Sequence, residues 1–162
     1  MKKPPVKKAV RQPRAEPRSV NLGPLPTYLG YQIRQAQAAV FRDLLTLSAD
    51  VGVTPGEYGL LAMIAANPAI SQIDLAAAHK LDKSTLSLAV TRLVKNGLIR
   101  RARSPKDERA YDLFLSKAGQ DALARVRERV ESQERAMDSV LRPGERDLML
   151  DALQRISRVL DR

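Results

Sequence analysis

The sequence predicts a mainly α-helical fold with a small β-hairpin wing, a winged helix-turn-helix domain carried between dimerisation helices. Three observations predict it. Asp82 is an N-cap residue and Gly97 a C-terminal stop, so the segment between them forms a helix with defined ends. A strand bearing Arg100, Arg101 and Arg103 follows, then the turn chemistry of Ser104-Pro105-Lys106-Asp107, then a second strand from Ala110 to Ser116. The chain carries a formal net charge of +10 and a pI near 10.3, which favours a polyanionic partner because Lys and Arg displace condensed counterions from a phosphate backbone. A short helix followed at once by a cationic ribbon lays one element in a major groove and another along the neighbouring backbone.

The elements follow in order. Residues 1–20 hold seven basic residues against Glu16 alone, interrupted by Pro4, Pro5, Pro13 and Pro17, and are predicted to be a disordered basic arm. Such an arm either tracks DNA or only solubilises the chain. Residues 21–52 are predicted as an N-terminal dimerisation helix, starting at Pro26 and ending before Gly52, with Leu29, Ile33, Val40, Leu44 and Leu47 on one face. Residues 53–116 form the winged helix-turn-helix domain. Within it Thr54 caps a helix that Pro55 opens and Asn67-Pro68 stops, Ser71 caps a third that runs to about Lys80, and Asp82 caps the fourth. Residues 117–162 supply two C-terminal dimerisation helices. The first runs from Lys117 to Val140 with a sparse stripe of Leu123, Val126, Val130, Met137 and Val140. The second follows Pro143-Gly144 and carries Leu148, Leu150, Leu153, Ile156, Val159 and Leu160, too apolar for a helix left in water.

Composition narrows the function. At 162 residues and 44% hydrophobic content the chain can bury a real core. Cysteine is absent, which removes disulfides, thiol redox sensing and thiolate metal sites, and the single His79 has no clustered carboxylates with which to hold zinc. No cofactor or metal is implied. No apolar run reaches the roughly 20 residues of a spanning helix and the basic N-terminus lacks a secretory apolar region, so a soluble, cytoplasmic protein is expected. There is no GxSxG, no phosphate loop and no acid and base gathered around His79, so an enzyme is not expected.

The fourth helix can be read at 100° per residue. Leu86, Ala89, Val90 and Leu93 fall on an inward face, Ser84, Leu88, Thr91 and Lys95 point the opposite way, and Thr85, Ser87 and Arg92 lie at the flanks. Ser and Thr hydroxyls can bond base edges or phosphates, and Arg92 or Lys95 can pair guanine or the backbone. A polar outer face is also what any surface helix shows. The wing that follows directly favours DNA.

The order of these helices, Ser84-Thr85, the run TRLVKNGLIRR, the wing signature Asp107-Glu108-Arg109, LSKAG at Leu115 to Gly119 and LRPGERDLMLDALQRI together resemble the MarR family of bacterial transcriptional regulators, over roughly Leu29 to Leu160. The resemblance implies a homodimer with winged helix-turn-helix lobes, a pseudo-palindromic double-stranded DNA operator and release by a small ligand. It implies that Arg109 reaches a minor groove, narrow and strongly negative where it is A·T-rich, while Asp107 holds the hairpin through Arg100, Arg101 or Arg103. Two positions depart from the family pattern. Leu88 stands where a basic residue is common and would touch a thymine methyl or be an ordinary exposed leucine. Glu108 stands where a second basic residue is frequent.

Members of the family that this chain resembles bind aromatic acids, phenols or acyl-CoA thioesters between the first, second and fifth helices. Candidate ligand residues are therefore Tyr28, Tyr31, Arg34, Tyr58 and His79, with Arg34 the partner for a ligand anion. Each has a plainer role as well: tyrosines pack at helix interfaces, and a surface arginine is usually solvated. The general look of the chain is similar to regulators of hydroxycinnamoyl-thioester breakdown. An architectural DNA binder without an effector is the alternative to a ligand-released regulator.

Overall fold

The computed structural model describes residues 20–105 and 111–161, in two compact units, one ending at Gln35 and the other starting at Ala36. The first unit holds a 3-10 turn at Leu25–Thr27 and the start of helix α1, Leu29–Leu47. The turn is set by proline: Pro24 is its N-cap, and Thr27 donates its hydroxyl back to the Pro24 carbonyl at 2.8 Å. Helix α1 thus starts three residues later than the sequence predicted, because Pro24 and Pro26 are spent on a separate tight turn.

In the second unit each helix of the DNA-binding domain begins at a side-chain cap. Helix α2, Pro55–Ala66, opens on a reciprocal capping box in which Thr54 Oγ1 accepts from the Glu57 backbone while Glu57 Oε2 accepts from Thr54 N at 2.9 Å. Helix α3, Gln72–His79, starts at Ser71, whose hydroxyl accepts from Asp74 N at 3.1 Å, and ends at Lys80 in a left-handed conformation. Helix α4, Lys83–Lys95, starts at Asp82 and stops at Asn96 and Gly97, the latter at φ +70°.

The wing is an antiparallel pair, β2 (Ile99–Arg103) and β3 (Tyr111–Leu115), in register Ile99 to Leu115 and Arg103 to Tyr111. A further strand, β1 (Ile70–Ser71), pairs with the other side of β3 to give the order β1-β3-β2. The sequence did not reveal β1: two residues carry no alternation, and they follow Ala69 at φ +67°, a left-handed position that local chemistry does not announce.

The core joins these elements. Leu60, Leu61 and Ile64 of α2, Leu75 of α3, Leu86, Val90 and Leu93 of α4, Ile99 and Leu113 of the wing form one buried cluster with Leu123 and Val126 of α5, Lys117–Asp138. Three of the four inward residues expected for α4 are buried, while Ala89 is half-buried. Helix α5 ends two residues before the expected Val140, where Ser139 turns its hydroxyl onto the Ala136 carbonyl and leaves Val140 exposed. Its outer length is tied to the end of α1 by polar contacts: Arg125 and Arg129 reach Asp50 at 2.8 and 2.9 Å, and Gln133 donates to the Val40 carbonyl and Asp43. Helix α6, Glu145–Leu160, has no buried residue. No helix among the described residues is long and apolar enough to cross a membrane.

Candidate nucleic-acid interface and adjoining cavity

Burial of Leu86, Val90 and Leu93 fixes the rotation of α4, and its opposite side is open. Ser84, Thr85, Ser87, Leu88, Thr91, Arg92 and Lys95 are all exposed, Leu88 at 74%. The sequence-predicted reading face is therefore presented as one surface. Its first turn is already organised. Thr85 donates its backbone N–H and its hydroxyl to Asp82, at 2.9 and 2.6 Å, and the Ser84 hydroxyl donates to the same carboxylate. With their protons spent, both hydroxyls offer lone pairs outward and suit a donor such as a base amino group better than a phosphate.

Hydrogen bonds from Ser84 and Thr85 hold the Asp82 carboxyl well below the usual carboxylate range. A carboxylate depressed in the folded state stabilises it fully above the unfolded value, near 3.8, and that contribution is lost progressively as pH falls from there through the lower folded value. Wild-type protein should accordingly lose part of its advantage over Asp82→Asn as urea midpoints are taken from pH 6 down to pH 3. A gap independent of pH would mean that this cap is not charged.

In the wing, Arg101 Nη2 reaches Thr91 Oγ1 at 3.5 Å and so links β2 to α4. Arg100 stacks over the Phe114 ring at 4.2 Å from its centroid and braces the two strands. Arg103 is exposed at the end of β2. Asp107, Glu108 and Arg109 lie outside the described residues, as do residues 1–19 of the basic arm.

Beside the reading face is a cavity of about 570 Å³, within the size range of small-ligand sites. Phe41, Leu60, Leu81, Leu88 and Ala89 give it apolar walls, and Thr54, Glu57, His79, Thr85 and Arg92 its polar groups. Three of the predicted DNA-contacting residues, Thr85, Leu88 and Arg92, thus also line a cavity. Arg92 does more: its Nε pairs with Glu57 Oε1 at 3.1 Å, and the Glu57 side chain is only 6% exposed. His79 Nε2 is buried without a hydrogen-bond partner among the described residues. Gly59 makes room for that ring, since a Cβ there would lie 2.9 Å from His79 Nε2.

Of the five candidate ligand residues, His79 lines this cavity. Tyr58 is half-buried and packs on the core cluster. Tyr28, Tyr31 and Arg34 belong to the first unit, where Tyr28 and Arg34 are exposed and Tyr31 half-buried. No α5 residue lines the cavity, whose fourth wall is α4 instead. Glu57, Thr54 and Phe41 were missed by the sequence reading. Thr54-Pro55-Gly56-Glu57 has the spacing of a capping box, a local signal for the first two; the pairing of Glu57 with Arg92 spans 35 positions and has none.

A helix with a polar outer face, fed by a tight connection from another helix and followed by a basic two-stranded ribbon, defines a winged helix-turn-helix DNA-binding regulator. The family model for the MarR family matches residues 53–111, and a putative transcriptional regulatory protein for the hcr operon of Thauera aromatica is 37% identical over 155 residues, covering 92% of this chain and 93% of that protein. The chain belongs to the MarR family and is a transcriptional regulator of that type. The transcriptional repressor CouR bound to a 23-mer DNA duplex matches with a TM-score of 0.79 and 31% identity, over 86% of this chain and 99% of CouR. CouR bound to p-coumaroyl-CoA gives 0.78 and 30% over the same shares. PcaV from Streptomyces coelicolor, in complex with its natural ligand, gives 0.74 and 25% identity over 86% of this chain and 96% of PcaV. These relatives are regulators, not enzymes.

Proposed function

We propose that the protein is a homodimeric, ligand-responsive repressor that binds a pseudo-palindromic operator and is released by a small aromatic acid, a phenol or an acyl-CoA thioester. One observation carries this reading: the cavity is walled by Thr85, Leu88 and Arg92 of the same helix that presents the reading face. A ligand there and an operator act on one element, and a ligand with differential affinity for the two arrangements of that element shifts DNA binding. The DNA contacts proposed are Ser84, Thr85, Ser87, Leu88, Thr91, Arg92, Lys95, Arg101 and Arg103, with Asp107 and Arg109 at the wing tip. In support stand the relatives: CouR is a repressor seen both with a DNA duplex and with p-coumaroyl-CoA. A dimer is supported by α6, whose Leu148, Met149, Leu153 and Leu160 are all exposed in a single chain. Two copies would place their α4 helices about one helical turn, ~34 Å, apart on the operator.

The test uses a duplex enriched by the protein from a randomised pool. Fluorescence anisotropy should show sequence preference that persists as salt is raised, and p-coumaroyl-CoA or p-coumarate should release the duplex. Binding that loses all preference with salt identifies an architectural binder. Retention of the duplex at saturating ligand removes effector control by these compounds.

A further inference from the structure

The reading face of α4 changes character along its length. Its cations stand on the C-terminal half: Arg92 and Lys95 lie in the last turn, and Arg101 of the wing joins them there by donating to Thr91 Oγ1 at 3.5 Å. The N-terminal half, which in a helix-turn-helix supplies the contacts to base edges, presents Ser84, Thr85, Ser87 and Leu88 and no cation. Lys83 does not belong to that face, because it stands two turns before the buried Val90 and on the same side of the helix. The hydroxyls of the first turn act as acceptors. Ser84 Oγ and, at 2.6 Å, Thr85 Oγ1 have given their protons to the Asp82 carboxylate, so each turns lone pairs outward. Leu88 adjoins both on the helix surface, one turn after Ser84, and is 74% exposed. A lone exposed leucine needs no explanation on an ordinary surface, but this one stands where the floor of a groove would meet the helix. In the major groove, acceptor hydroxyls match the amino group of adenine or of cytosine and are set against the N7 and O6 acceptors of guanine. The leucine separates the two matches, since among the unmodified pairs only A·T carries a methyl group there.

From this we infer that Leu88 is a specificity-determining residue of the operator half-site: its side chain packs on the 5-methyl group of a thymine and makes the first turn of α4 a reader of an A·T pair. The inference rests on the operator-binding reading above and names a base group that the helix recognises. The contact works by removing apolar surface from water, so it adds affinity that salt does not screen, unlike the contacts of Lys95 or the wing arginines to phosphates.

A duplex enriched by the full-length protein from a randomised pool provides the test. Deoxyuridine is put in place of each thymine in turn, a change that removes the 5-methyl group and leaves the base pair and every phosphate as they were. At one thymine in each half-site, wild-type affinity should fall about 3- to 5-fold for each methyl removed, and by the same factor at low and at high salt. Where that thymine is changed to cytosine, 5-methylcytosine should recover the same factor. Leu88→Ala should bind the thymine and deoxyuridine duplexes equally well, with the wild-type salt slope, and the exposure of Leu88 lets the variant keep its fold. The deoxyuridine arm alters only the DNA and so is independent of the stability of any variant. An enriched half-site without thymine, a wild-type protein indifferent to every thymine methyl, or a methyl effect that Leu88→Ala keeps in full overturns the assignment. If no duplex is enriched by the wild type, the operator reading itself falls and this inference with it; loss of the inference alone is marked by an enriched duplex that binds tightly whether or not its thymines carry their methyl groups.

Discussion

Gly119→Ala is expected to lower the unfolding free energy by about 3 kcal/mol or more, at the upper end of what overpacking a single methyl costs. A Cβ on Gly119 would lie 1.9 Å from the Leu98 carbonyl oxygen, far inside any contact distance, and the obstacle is backbone with no rotamer to escape into. That carbonyl is not free to retreat. It accepts from Ser116 N at 3.0 Å and from the Ser116 hydroxyl at 3.1 Å, and the same hydroxyl donates to Gly97 O and caps α5 through Gly119 N at 2.9 Å. One serine thus fastens the end of the recognition helix to the start of α5, and Gly119 lets the two chains approach. Displacing this junction moves β2 as well, since Leu98 leads directly into it. Urea titration should show a much lower midpoint for Gly119→Ala. Gly56→Ala is the control: a Cβ there meets nothing within 4 Å, and stability should hold or rise slightly. Equal midpoints for Gly119→Ala and wild type would show that the close approach of α5 to Leu98 is wrong.

What the sequence made legible follows the range of the forces involved. The helix starts at Thr54, Ser71 and Asp82 were legible because a cap is a contact across three residues, and the rotation of α4 was legible because burial of Leu86, Val90 and Leu93 repeats at helical spacing. LSKAG was visible as a family pattern before its cause was; the Ser116 and Gly119 junction supplies that cause. The cavity was located only in part. His79 was named as a ligand residue, but its orphaned Nε2 depends on Gly59 and on the packing of α3 against α2, neither of which leaves a periodic trace. Arg92 was read as a groove contact from its place on the flank of the helix, and only the fold brings Glu57 of α2 within 3.1 Å of it. Strand β1 was invisible for a related reason: its partner β3 is some forty residues away, and the pairing exists only once α3 and α4 have closed the gap.

Leu148→Glu/Leu160→Glu is expected to abolish the proposed dimer and to weaken operator binding by about 100-fold or more, because two half-site readers on one particle bind with an effective local concentration that separate lobes lack. On a wheel of 100° per residue Leu148, Met149, Ala152, Leu153, Ile156, Val159 and Leu160 of α6 occupy one broad arc, with Asp147, Asp151, Gln154 and Arg158 on the other side. Such an arc normally lies on a core. Here Leu148 and Leu160 are 71% and 74% exposed, so a charge at either meets water in one chain but meets apolar surface and a like charge in a two-fold assembly. The buried cluster of the DNA-binding domain contains no α6 residue, which separates the two effects: the lobe keeps its core while the assembly is lost. Helix α6 also keeps its attachment to α5, through Arg146 to Glu134 at 3.0 Å and to Asp138. Sedimentation velocity at micromolar concentration should give a dimer for the wild type and a monomer for the variant, with far-UV circular dichroism close to wild type. A variant that still sediments as a dimer would move the interface away from this arc of α6. A monomer that binds the duplex as tightly as the wild type would instead break the link between assembly and two-site reading, and leave each winged domain as an independent binder.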